Sequence, residues 1–247
     1  LTIAVLSDIH GNRWAFEAVL EDLERRGIKT VLHLGDVFFG PLDPGGTAAL
    51  LRQVGGTDWP TVRGNQDRAL GESAAGNATL AFTLGELEEE DRRWAVELPG
   101  TAVEGDLFLC HGTPEEDDQY LVEQVNPGGV GLRPEAALAE ALGGIDQPLV
   151  LCGHSHVPRL ASAGSKRVLN PGSVGLPAYT AEAPHPHAMA AGSPEARYAL
   201  LHPPEKANGG WRVEHVAVPY DHQAAVAAAR RHDRPDWAAW LATGRGV

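Results

Sequence analysis

Seven polar residues of the 247-residue chain stand just behind short apolar runs. Asp8 and His10 follow TIAVL, Asp36 follows VLHLG, Asn65 follows TVRG, His111 follows LFLC, and His154 and His156 follow PLVLCG. Two carboxylates, one amide and four imidazoles make a hard-to-borderline donor set. It suits manganese, iron, cobalt, nickel or zinc, and does not suit an ion that prefers thiolate. Seven donors exceed what one tetrahedral ion takes up but suit two divalent cations that share a carboxylate. Glycines adjoin most of these positions (Gly35, Gly64, Gly112, Gly153), as tight turns aiming side chains at one point require. A lone Asp-x-His is usually a turn, and His33 inside VLHLGD reads as a packed strand residue. The weight therefore lies on the recurrence of donors at run after run.

The elements that must carry these residues are legible in part. TIAVL (2–6) and TVLHLGD (30–36) read as buried strands, RWAFEAVLEDLERR (13–26) and PGGTAALLRQV (44–54) as helices, and WPTVRGN (59–65) as a third strand. That alternation predicts a parallel sheet with crossover helices, whose ligands gather at the carboxyl ends of the strands. The stretch 72–98 is expected to be helical with interruptions at Gly76 and Gly85. Gly105-Asp106 predicts a hairpin turn, and helices are expected near 116–125 and 134–142. Strands follow at 148–156 and 166–175, then a long loop at 176–197 with four prolines. Strands at 197–201 and 211–218 precede a helical tail (222–243), whose Trp237 and Trp240 are expected to pack onto the core. No repeat or boundary divides the chain, so one domain over 1–247 is expected.

A net charge of −13 argues against nonspecific nucleic-acid binding, which needs surplus Lys and Arg, but leaves room for a small anionic substrate. The two cysteines, Cys110 and Cys152, lie in apolar runs and read as buried thiols. With no secretion signal at the N-terminus and no apolar run near the roughly 18–20 residues of a membrane span, a cytoplasmic protein without a membrane partner is expected. Oligomeric state is not specified by the pattern.

The ordered set D-x-H (8–10), GD (35–36), GN (64–65), H (111) and GHxH (153–156) resembles the calcineurin-like metallophosphoesterase superfamily over residues 2 to about 175. SDIHGN, VRGNQD and LNPGSVG look most like its small bacterial and archaeal phosphodiesterase branch. The resemblance implies a four-layer α/β/β/α sandwich with a dinuclear metal centre, manganese being the first choice. Asp8, His10 and His156 would hold one ion, Asn65, His111 and His154 the second, and Asp36 would bridge both. A hydroxide between the ions would act as nucleophile, which makes Asp36, Asn65 and His111 catalytic candidates. Many members carry a proton-donating His where this chain has Gln66, and an amide has no useful pKa for that task. Candidate substrate contacts are Asn12, Arg13, Arg63, Gln66, His185 and His187, with specificity written in the loops 37–48, 113–133 and 176–197. The expected activity is phosphodiester hydrolysis. The alternatives are a phosphomonoesterase (protein phosphatases included), a dinucleoside polyphosphate hydrolase, or a non-enzymatic binding scaffold on the same fold.

Overall fold

Side chains of a strand alternate between two faces, and here both faces are apolar. In the computed structural model, which describes residues 1–204 and 209–246, β1 (Ile3–Leu6) sends Ala4 and Leu6 to one core and Val5 to another. Helix α1 (Arg13–Arg25) buries Ala15, Phe16, Val19 and Leu23 on one stripe, and returns the chain to β2 (Thr30–His33), which pairs in parallel with β1. Four helices follow: α2 (Pro44–Gln53), α3 (Asn65–Ala69), α4 (Ala78–Glu86) and α5 (Glu89–Glu97). The hairpin β3 (Thr101–Glu104) and β4 (Leu107–Cys110) turns at Gly105-Asp106, and a second hairpin joins β5 (Glu123–Asn126) to β6 (Gly129–Leu132). After α6 (Glu135–Ala141) come β7 (Leu149–Leu151), β8 (Arg159–Ala163) and β9 (Lys166–Asn170). The hairpin β10 (Ala178–Ala181) and β11 (His187–Ala190), the long pair β12 (Ala196–His202) and β13 (Arg212–Val218), and helices α7 (His222–Arg231) and α8 (Pro235–Thr243) complete the order.

Two main sheets result, in the orders β13-β12-β1-β2 and β3-β4-β7-β9-β8, beside the two-stranded pairs β5-β6 and β10-β11. Val5, Leu32, Ala199 and Leu201 of the first meet Leu107, Leu109, Leu149 and Leu151 of the second in a core between them. The opposite face of the first sheet packs on α1, α2, α7 and α8, while Phe108, Val150 and Val168 of the second pack on Leu138 and Leu142 at α6. The pleat thus divides the apolar residues into three cores and four layers, the expected α/β/β/α sandwich. Strands β1 and β2 run parallel, as do β4, β7 and β9, so each set opens its carboxyl ends toward one rim. Cys110 and Cys152 are free and buried, and burial pushes both thiols up, away from reactivity.

Several expectations are corrected. Residues 59–65 form only a single bridge, His33 to Thr61, because Pro60 has no N–H to donate and Gly64 turns the chain into α3. Residues 116–125 are not helical. Asp117 is drawn to Arg68 by two hydrogen bonds of 2.8 Å, Leu121 and Val122 turn inward, and the segment ends in β5. Gly85 lies inside α4, and the break comes at Leu87-Glu88, where an extended backbone lets three acidic residues open α5. The supposed loop 176–197 contains β10 and β11, with Met189 and His187 buried alternately between prolines too close to reveal the period. The tail is two helices, parted at Asp233-Arg234 before Pro235.

Candidate metal centre

Five of the seven candidate residues have left-handed backbones: Asp8 (φ 57°), His10 (53°), Asp36 (60°), His154 (66°) and His156 (60°). Only Asp233, between α7 and α8, is another such non-glycine residue among those described. This conformation costs about 1–2 kcal/mol per residue, so its concentration at one rim marks a place held for something other than stability. Glycines let these turns interlock. A Cβ on Gly64 would collide with Asp36 Oδ1, and one on Gly153 with Ser7 Oγ.

Each buried carboxylate has one oxygen tied down. Asp8 Oδ2 accepts from Ser7 Oγ (2.5 Å) and the His154 amide (3.2 Å), and Asp36 Oδ1 accepts from the Gln66 amide at the start of α3 (2.9 Å). The other oxygens face imidazoles. Asp8 Oδ1 lies 3.2 Å from His156 Nε2, 3.7 Å from His10 Nε2 and 3.9 Å from His111 Nε2. Asp36 Oδ2 lies 3.3 Å from His111 Nε2 and 3.8 Å from His10 Nε2. Both carboxylates therefore face His10 and His111 at once.

The imidazoles are oriented from behind. Nδ1–H of His10 donates to Phe39 O (2.9 Å), that of His111 to Leu34 O (2.6 Å), and that of His156 to Leu176 O (2.6 Å). Each Nε2 lone pair is thereby turned inward, the arrangement that holds ligating histidines. His10 and His156 bring their Nε2 atoms within 3.1 Å, and His111 Nε2 is 3.2 Å from Asn65 Oδ1. Two donors about 2.1 Å from one ion, at roughly 90–110° to each other, would be about 3.0–3.4 Å apart. His154 stands at the rim, its ring centroid 5.3 Å from that of His111.

Electrostatics point the same way. Burial would raise the Asp8 carboxyl, but His156, His10 and His111 hold it well below the usual carboxylate range. Burial likewise opposes ionised Asp36, and His111 and His10 overcome it. Burial would lower His111, yet Asp36 and Asp8 push it up to about 10. Two buried negative charges thus require cations, and without a metal they draw protons. Asp8 Oδ1, buried and without a hydrogen-bond partner among the described residues, is the atom a divalent cation would satisfy. The donor set fits.

The sequence model of the calcineurin-like phosphoesterase superfamily domain matches residues 1–191. The chain belongs to this superfamily. Three relatives bear on it. Protein MJ0912 of Methanocaldococcus jannaschii is 25% identical over 95% of this chain and 94% of its own. A metallophosphoesterase structure from Sphaerobacter thermophilus (24% identity, TM-score 0.75) and hypothetical protein PH1004 of Pyrococcus horikoshii (21%, TM-score 0.73) each cover 98% of both chains and share the fold. The superfamily hydrolyses phosphoesters, and this member keeps a cluster able to hold metal. No helix is long and apolar enough to cross a membrane among the described residues.

A cleft of about 210 Å³ opens over the centre, lined by His10, Asp36, Asn65, Gln66, His154 and His156 on one side. Asp8 and His111 lie beneath it, at 0% and 1% exposure. The other wall was unforeseen. It includes Phe39, Tyr179 and Thr180, and from beyond the matched superfamily residues Arg234, Trp237 and Trp240. The two tryptophans pack on the core as expected and also face the cleft.

Of the proposed substrate contacts, Gln66 alone lies in the cleft. Asn12 is sealed in the core, where its Oδ1 caps α1 and its Nδ2 donates to Gly175 O (2.8 Å) and Tyr220 Oη (3.0 Å). Arg13 pairs with Asp43 (2.6 Å), and Arg63 donates to Val96 O on another face. His185 is exposed and outside the cleft wall. His187 is buried and accepts from the Tyr120 hydroxyl (2.9 Å), whose ring stacks on His154 at 4.9 Å. It supports a candidate ligand from behind.

Asp67 was missed. Fully buried, it accepts from the amides of Asp36 (2.7 Å), Val37 (3.0 Å) and Gly64 (2.9 Å), clamping the two turns that present Asp36 and Asn65. The signal was an acidic residue three positions after Gly64, where a helix start is capped. Asp67→Asn cannot accept from all three and is expected to weaken manganese affinity by about 10–100-fold with the fold retained. Calorimetric titration and circular dichroism would check this, and unaltered affinity would remove Asp67 from the centre.

Proposed function

We propose that this chain hydrolyses small phosphodiesters with two divalent cations, manganese being the first to load. Asp8, His10 and His156 would hold one, Asn65, His111 and His154 the other, and Asp36 would be shared. The observation carrying the reading is the convergence of three backbone-anchored imidazoles on two carboxylates that each turn one oxygen toward them. When bound, such cations neutralise phosphoryl oxygens and bring a water's pKa near neutrality.

The chain's own residues do the remaining work. The carbonyls of Leu34, Phe39 and Leu176 keep the imidazoles aimed before substrate arrives, so little reorganisation is left for the reaction. Gln66 offers the phosphoryl group an amide hydrogen bond and no proton. The leaving group must therefore depart as a stable anion, as an aryl oxide or a nucleotide phosphate does. Arg234, the guanidinium of the cleft, is already paired with Asp236 (2.9 and 2.6 Å). That favours the single charge of a diester over the double charge of a monoester. The cytoplasmic setting and single-domain organisation read from the sequence belong to the same proposal.

Manganese-loaded protein is expected to turn over bis-p-nitrophenyl phosphate faster than p-nitrophenyl phosphate. A monoester preference would replace the reading with a phosphomonoesterase, and no turnover despite bound metal would favour a scaffold. Gln66→His is expected to raise the rate on alkyl phosphodiesters by about 10²-fold, the usual worth of a positioned acid, and to change aryl esters little. No gain on the alkyl ester would refute the leaving-group argument.

A further inference from the structure

The cleft joins two chemistries. Beside the cluster of candidate ligands, Phe39, Trp237 and Trp240 line the same cleft with aromatic rings. Trp237 meets His10 edge-on, ring centroids 5.8 Å apart, so this aromatic wall begins where the candidate centre ends. Arg234 fixes it in place. Its guanidinium carbon lies 5.5 Å from the Trp237 ring centroid, it makes two hydrogen bonds to the neighbouring Asp236, and it also donates to Thr79 of α4. Trp240 is 6% exposed, and its indole N–H has no hydrogen-bond partner among the described residues. That nitrogen is out of solvent reach, so what Trp240 offers the cleft is ring surface.

We propose that this wall, supplied largely by α8, sets substrate specificity: it seats the uncharged, flat substituent retained on a phosphodiester against the rings of Phe39, Trp237 and Trp240. The inference rests on the phosphodiesterase reading and deepens it. A phosphoryl group belongs at the cation-binding side. A second ionised group set against the aromatic wall would lose its hydration and find Arg234 already committed to Asp236. A flat neutral group loses little by leaving water there and gains contact with the indole rings.

The test uses two manganese-catalysed hydrolyses with one leaving group, so that only the retained substituent differs. The substrates are thymidine 5′-p-nitrophenyl phosphate and methyl p-nitrophenyl phosphate. The wild-type kcat/KM is expected to favour the thymidine ester by at least about tenfold, and Trp240→Phe to cut that ratio by about threefold, because the smaller ring gives up part of the contact. Calorimetric binding of thymidine 5′-methyl phosphate against dimethyl phosphate should show the same preference and the same loss. Equal kcat/KM for both esters, or a ratio that Trp240→Phe leaves intact, overturns the wall and spares the phosphodiesterase. Discriminating binding without hydrolysis of either ester does the reverse, and absence of binding overturns both. The wild-type ratio needs no variant, and decides alone if Trp240→Phe does not fold.

Discussion

Asp36→Asn is expected to lower kcat/KM on bis-p-nitrophenyl phosphate by about 10³-fold or more, on the scale of losing a group that acts with its neighbours as a unit. The substitution preserves shape, so Oδ1 can still accept from the Gln66 amide. At the other branch it exchanges an anionic oxygen for an NH₂ facing His111 and His10, 3.3 and 3.8 Å away in the native chain. That group donates to the very lone pairs a cation needs, and the charge that attracted the cation is gone. The metal-free variant should also be less stable than the native chain at neutral pH, because the ionised Asp36 and the raised His111 hold each other across 3.3 Å. Relief of the native Asp67 carboxyl, which burial and Asp36 push up to about 7, offsets part of that loss. Steady-state rates, metal content by mass spectrometry and a thermal melt decide the matter. A variant holding two ions and retaining a tenth of native activity would displace Asp36 from the centre.

Removing metal should have the second largest effect. With each of two ions at about 100 times its Kd, loading adds roughly 5 kcal/mol, or roughly 10–20 °C in Tm for a chain of this size. The gain depends on pH with a definite sign. In metal-free protein the raised His111 contributes stability that is present below its unfolded value of about 6.5 and lost as pH rises through about 10. The depressed Asp8 and Asp36 contribute stability present above about 4 and lost in acid. Protons therefore occupy the centre at neutral pH, and an entering cation must displace them. The metal-induced Tm increment should grow as pH rises from 6 to 8. Titration calorimetry in buffers of different ionisation enthalpy should register proton release, and metal binding without it would contradict imidazole ligands.

How much of this was legible beforehand follows from how local each signal is. The donors at strand ends could be read because ligand chemistry is written in residue type, and because a buried strand of four residues is a short apolar run. Gly35, Gly64 and Gly153 could be seen as turns, while the left-handed backbones of Asp8, His10, Asp36, His154 and His156 could not, since neighbouring glycines do not reveal which residue takes the strain. The hairpin β10–β11 was hidden because four-residue strands between prolines hold too few alternations to show a period.

The sequence alone determined the chemistry on offer: seven candidate donors, their order, and through their resemblance to a superfamily the four-layer frame. Tertiary structure decided which polar side chains were free to act. Asn12 and Arg13 sit beside the first motif, yet Gly175, Tyr220 and Asp43 claim them, and each partner is remote in the chain. It also decided the second wall of the cleft. A tryptophan in a helix is apolar whatever it faces, and only the packing of α8 against α7 and β10 sets Trp237 against His10. Ligand identity is a property of single residues, whereas the availability of a side chain and the shape of a cleft belong to pairs brought together from distant parts of the chain.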